Sequence, residues 1–284
     1  MRQTHVIALV AGSLALSVAL LVSGDFGLFF HPAGLLLVVG GTLGGIFLAF
    51  PLQTLRELKE QLRRMFKTRT MTLAELERLF VALTRLRRDK GVRAMERAAE
   101  RTGHPFLKMA IRLVADEREP AYVRERMEQE FELFASRRES QRAVLTMMGR
   151  LAPAFGLAGT IIGLIRMLHT LKDPATVAEG MSVALLTTFY GIILANLVIL
   201  PLERKFREIT RAEAVELTLL TEGVMGLCAE ENGAAIGARL RSFAYAQPQY
   251  HPSARQAEAL VGAPPWLARL KARLPRVGKV GHGR

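Results

Sequence analysis

Thr160 and Thr188 each lie near the middle of a long apolar run, and each is flanked at helical spacing by small residues. Pro153, Gly156, Gly163 and Met167 accompany the first; Ala184, Gly191 and Ala195 accompany the second. Residues three or four apart share one face of a helix. A hydroxyl held in hydrocarbon has two uses: bonding back to a carbonyl of its own helix, or facing a bundle interior where it lines an ion path. Neither run, 151–171 or 181–200, contains Asp or Glu. An ion path of this kind needs a carboxylate, so the pattern assigns that group to another chain.

The threonines need membrane helices to hold them. In this chain of 284 residues, 50% hydrophobic and 23% charged, the apolar residues gather in four runs at 5–23, 33–50, 151–171 and 181–200. Each approaches the roughly 20 residues a helix needs to cross about 30 Å of hydrocarbon. The reading is an all-α membrane protein with four transmembrane helices and a large helical cytoplasmic domain. A membrane hairpin occupies 1–51, a cytoplasmic helical domain 52–148, a second hairpin 149–201, a cytoplasmic helix 202–235 and a basic tail, expected to be disordered, 236–284. Arg2 before the first run raises a cleaved signal peptide, but a second run follows directly after a short turn, which favours a retained helix.

The net charge of +13 would point to nucleic acid on a soluble protein, yet its distribution follows the positive-inside rule. The turn 24–31 has no Lys or Arg, and the turn after 171 has only Lys172, beyond Arg166 at the span end. The segment after Phe50 opens with Arg56, Lys59, Arg63, Arg64, Lys67 and Arg69, and Arg204, Lys205, Arg207 and Arg211 follow the last run. Both termini and the large loop are therefore expected in the cytoplasm, with no nucleic-acid partner. Cys228 is the single cysteine, so no internal disulfide forms.

Smaller signals place the remaining elements. Gly40 and Gly44, and likewise Gly41 and Gly45, have the spacing that lets helices approach closely in lipid. Apolar residues at 55, 58, 62, 65 and 66, then at 73, 76, 79, 80 and 83, form two helical stripes, and Thr72 with Glu75 has the form of a capping box. Gly91, the Gly103–His104–Pro105 run and Pro120 break the loop into shorter helices. A long amphipathic helix from Tyr122 then runs straight into the third span. After Pro201 a helix continues to Leu227 and ends near Asn232 and Gly233. His104 is read as a helix cap or surface histidine and Asp25 as a turn residue. In the tail, Trp266, Leu267, Leu270 and Leu274 share one face and either rest on anionic lipid or fray. There is no glycine-rich phosphate loop, no His/Cys cluster with metal spacing and nothing that reads as an enzyme.

APAFGLAGTIIGL followed by DP, MSVALLTTFYGIILANLVILP, and LLLVVGGTLGGIFLAFP resemble the third, fourth and second membrane helices of flagellar stator subunits of the MotA/PomA family, within the MotA/TolQ/ExbB proton channel superfamily. The resemblance covers about residues 1–235. It implies a bacterial inner-membrane protein, one subunit of a pentameric ring around a MotB/PomB-like partner whose membrane helix bears an essential Asp. Proton or sodium flow through this assembly would turn the ring against the rotor protein FliG, with no other cofactor. By the same resemblance Thr160 and Thr188, with Asn196 on the same side, line the ion path; Pro153 and Pro201 couple ion passage to movement; and Arg88 and Glu96 meet the rotor. An ExbB/TolQ-type energiser shares the last two helices and the threonines but has three spans, and a passive membrane scaffold also accounts for the packing pattern.

Overall fold

A computed structural model describes residues 29–65, 70–101, 103–169 and 174–246. Among these residues every regular element is a helix: α1 Pro32–Ala49, α2 Leu52–Met65, α3 Leu73–Lys90, α4 Val92–Arg101, α5 Pro105–Ala115, α6 Pro120–His169, α7 Pro174–Ile193, a π-helical stretch Leu194–Ile199, α8 Leu200–Cys228 and α9 Gly233–Ala246. Among the described residues three stretches are long and apolar enough to cross a membrane: α1, part of α6, and part of the continuous run Val177–Cys228. The expected span 5–23, Asp25 and the tail face at Trp266 lie outside the described residues.

The chain forms two compact units, one of residues 1–68 and 133–210, the other of 69–132 and 211–284. In the first, α1 packs on α7, and a core of Ile46, Leu58, Val144, Leu145 and Phe206 lies where α1, α2, α6 and α8 meet. Large apolar side chains remain outside it, among them Leu36, Leu48, Ile165 and Leu185. On helices of this length and composition such an outer surface suits lipid.

Two prolines mark α6 and the last long helix. A proline has no N–H to give and its ring presses on the carbonyl four residues back. Pro153 is carried inside α6. Before Pro201 the backbone widens into the π-helical stretch, and the Leu200 N–H bonds to Ala195 O, five residues back. The sequence pattern gave no sign of this wider turn.

In the second unit, local signals act as their residue types dictate. Thr72 and Glu75 form a full capping box at the start of α3. His104 caps α5 by accepting the Leu107 N–H at Nδ1. Gly91 and Gly103, at φ of 79° and 67°, turn the chain where a Cβ would be strained. Helix α3 packs on α4 and α9, and α4 on α5, burying Leu76, Phe80, Met95, Ile111, Leu220 and Leu240. A Cβ at Gly223 would run into the Phe80 ring.

Helix α9 corrects one expectation. The tail was expected to be disordered from 236, yet Ile236, Leu240 and Ala244 are buried at a spacing of four, which is one helix face. Asn232 caps this helix by accepting the Ala235 N–H at 2.8 Å. Arg239 pairs with Glu231 and Glu222, and Arg241 with Glu77 at 3.0 Å. The Pro, Gly and basic composition further along the tail hid the helix Gly233–Ala246 at its start.

Candidate functional site

The site is built by backbone proximity between α6 and α7. A Cβ at Gly156 would come within 2.9 Å of Thr187 O, one at Gly163 within 2.7 Å of Gly180 O, and one at Gly191 within 2.6 Å of Ala152 O. Real Cβ atoms do not tolerate such contacts, so glycine at three successive levels lets the two backbones touch, as small residues do between membrane helices. The result is that short side chains reach across. Thr160 Oγ1 and Thr188 Oγ1 are 2.5 Å apart.

Two carbonyls complete the cluster. Thr160 Oγ1 lies 3.2 Å from Gly156 O and 3.3 Å from Ala184 O, and Thr188 Oγ1 lies 3.4 Å from both. Two hydroxyls supply only two protons. One joins the threonines and the other goes to a carbonyl, so four oxygens are held together with no fixed charge. The two threonines meet across the interface, and the proton left over goes to one of the carbonyls, Gly156 O or Ala184 O.

Thr187 and Tyr190 escaped the sequence reading. Thr187 is fully buried, and its Oγ1 donates to Val183 O at 2.9 Å. Its side chain fills the space left by Gly34 on α1 and Gly159 on α6. Tyr190 Oη accepts the His31 N–H at 2.8 Å and donates to Phe29 O at 2.6 Å, clasping the start of α1. The signal for both was the TTFY run itself, in which Thr187 and Tyr190, three apart, share a helix face turned away from that of Thr188.

The glycine pairs of α1 divide. A Cβ at Gly41 would overlap Phe155, and one at Gly45 would lie 2.8 Å from Leu151, whereas at Gly40 and Gly44 it would meet nothing within 4 Å among the described residues. Among the described residues only the Gly41–Gly45 spacing is used for close approach.

The other predicted residues are placed apart. Pro153 lies about two helical turns before Thr160, where α6 meets Gly191 of α7, its Cα 3.1 Å from a Cβ built there. Asn196 is exposed on the π-helical stretch, donates to Ile192 O at 3.0 Å, and is not joined to the threonines. Pro201 follows that stretch in α8. Arg88 on α3 is exposed beside Asp89 at 3.5 Å, and Glu96 on α4 pairs with Arg112 at 3.8 Å. Arg88 and Glu96 are thus not paired with one another. At the end of α6 away from Pro153, Arg166 meets Glu179 of α7 at 3.3 Å. That acid lies just before the 181–200 run, so the middle of the pair stays free of carboxylates.

Comparison with known proteins places this geometry. Residues 98–218 match the model of the MotA/TolQ/ExbB proton channel family. Motility protein A of Borreliella burgdorferi is 28% identical over 232 residues, covering 82% of this chain and 89% of that protein. YtxD of Bacillus subtilis, an uncharacterised protein, is 32% identical over 222 residues, covering 78% and 81%. The chain belongs to the MotA/PomA family. A solved structure of Campylobacter jejuni MotAB matches this MotA/PomA-family chain with a TM-score of 0.76 at 22% identity, covering 89% of it and all of the matched chain. The all-helical fold is thus that of the family, and the family match contains both threonines, Pro153, Asn196 and Pro201.

Proposed function

We infer that this MotA/PomA-family chain is a stator subunit of the bacterial flagellar motor, set in the inner membrane by four spans with both termini in the cytoplasm. The observation that carries the reading is the Thr160–Thr188 contact of 2.5 Å in a helix pair with no Asp or Glu across 151–171 or 181–200. A site of hydroxyl and carbonyl oxygens passes a proton or a sodium ion without trapping it. The ionisable step then falls to a MotB/PomB-like subunit with an Asp in its single membrane helix. The solved relative is itself a MotAB assembly, which supports such a partner.

In this reading several copies, five by family resemblance, surround the partner helix, with Thr160 and Thr188 turned toward it. Pro153 lies where α6 meets α7 and Pro201 follows the widened turn, positions suited to coupling ion passage to helix movement. Asn196 lines a lower part of the path, open to the partner. Arg88, exposed on α3, and Glu96, on the next helix, offer charges to FliG. Motility protein A of Borreliella burgdorferi and that of Bacillus subtilis are among the relatives, which favours this function over an ExbB/TolQ-type energiser.

Co-expression tests it. Full-length chain expressed with a single-span partner carrying a membrane Asp should conduct ions across vesicles and restore swimming to a stator-less cell. Swimming with and without sodium identifies the ion. Absence of flux and of swimming, with both proteins in the membrane, would overturn the reading.

A further inference from the structure

Helix α2 is the most strongly amphipathic element next to a span, and the stator reading does not use its outer face. It begins three residues after α1 ends, beyond the extended Phe50 and Pro51. Leu58 is buried with Ile46 from the last turn of α1, and Leu55 and Leu62 pack on the same cluster as Leu151 and Leu202. Three turns of α2 therefore stay at the level of the inner span ends instead of running away from them. An amphipathic helix held at that depth lies in the interface.

The outer face of α2 carries Arg56, Lys59 and Arg63, all exposed and at steps of three and four, hence on one side. None of the three meets an acidic partner among the described residues. Of the acids on this helix, Glu57 is turned inward, accepting from Gln53 at 3.0 Å and from the buried Gln141 at 3.5 Å, while Glu60 borders the cationic face and pairs with Arg64 at 3.8 Å, which leaves the face net positive. The exposed Phe47, Leu48 and Leu52 sit immediately before the cations. Apolar surface thus passes directly into positive charge, as hydrocarbon passes into phosphate in a bilayer.

We propose that the Arg56–Lys59–Arg63 face of α2 is a binding surface for the anionic phospholipid headgroups of the cytoplasmic leaflet. Long cationic side chains lay their stems along the apolar edge and carry their heads to the phosphates. This inference rests on the proposed reading only in that α1 spans the membrane with its Ala49 end toward the cytoplasm, and it stands or falls independently of ion coupling. Each cation near an anionic leaflet favours binding by a factor of about five, so a headgroup touching one or two of them is preferred on the order of five- to thirtyfold.

The test uses the full chain with its partner in phosphatidylcholine vesicles holding a minor fraction of phosphatidylglycerol. Spin-labelled phosphatidylglycerol and phosphatidylcholine are compared for immobilisation at the protein surface. Wild type should select phosphatidylglycerol, less so at high salt. Arg56→Gln/Lys59→Gln/Arg63→Gln should lose most of that selectivity, while Arg78→Gln/Arg85→Gln/Arg93→Gln, which removes three exposed charges elsewhere, should keep it. Should the α2 triple fail to assemble, Arg63→Gln alone should show a partial loss. Unchanged selectivity in the α2 variants, equal loss in both triples, or displacement by inorganic phosphate at the lipid's concentration would overturn the proposal.

Discussion

Replacing Thr160 or Thr188 by Val removes one hydroxyl and keeps the branched shape. Thr160 Oγ1 has three oxygen neighbours, but one hydroxyl donates one proton. When it is gone, Thr188 can turn its proton to Gly156 O or Ala184 O, each 3.4 Å away, and those carbonyls are helix acceptors already. The net loss is about one hydrogen bond between membrane helices, which is worth roughly 0.6 kcal/mol and at most about 1.7. That is too small to unfold a helix pair packed through Gly156, Gly163 and Gly191. Thr160→Val and Thr188→Val should therefore reach the membrane at wild-type levels, by immunoblot of the membrane fraction, and yet lose swimming and ion flux. Thr160→Ser should retain both in part. Wild-type swimming in both Val variants would refute an ion-path role; loss of the protein from the membrane would refute the energetic argument and make the hydroxyls structural.

Gly41→Ala should cost about 1–3 kcal/mol through overpacking against Phe155, whereas Gly40→Ala should be neutral or gain up to about 1 kcal/mol of helix propensity; resistance of the purified complex to denaturation by detergent separates them. Leu240→Ala should weaken the second unit by about 2–5 kcal/mol, seen as faster hydrogen exchange in α9 and α3. Glu216 is buried on α8, accepts the Met71 N–H at 3.1 Å and lies 3.8 Å from His104 Nε2. Burial, with Glu213 and Glu75 nearby, pushes its carboxyl up to about 7. The folded unit then holds a proton that the unfolded chain has released, so stability falls as pH rises from the ordinary carboxylate range to about 7 and stays low above it. Glu216→Gln should remove that fall and stabilise the unit above pH 7 by up to about 3 kcal/mol. Burial lowers the pKa of His104, so its contribution has the opposite sign and is lost on acidification; it should remain in the Gln variant.

The features legible in the sequence were those set by short-range chemistry. Thr72 with Glu75, His104 before Pro105, and Gly91 each specify a local backbone geometry, and each acts as its residue type dictates. The helix-face argument also brought Thr160 and Thr188 onto facing sides, because α6 and α7 are regular where the two threonines sit. Features that depend on a second helix were not legible. Gly40 and Gly41 are equivalent in a spacing rule, and only the ring of Phe155 distinguishes them. Thr187 and Tyr190 act on α1, which is about 150 residues away in sequence. Helix α9 was lost in the composition of the tail behind it.

The π-helical stretch at Leu194–Ile199 has a further consequence. A regular helix advances about 100° per residue, so fitting one more residue into a turn is equivalent to an insertion absorbed without a loop. The sequence downstream is thereby one position out of phase with the sequence upstream. Thr188 faces α6 and Phe206 faces the core shared with α2 in this offset register, and a wheel drawn straight from 181 to 206 misassigns one of them. A one-residue deletion in the π-helical stretch would restore a uniform helix and a continuous hydrogen-bond ladder, and would also turn Phe206 out of its core. The irregularity is thus a phase correction between the face that carries Thr188 and the face that carries Phe206 on one continuous helix.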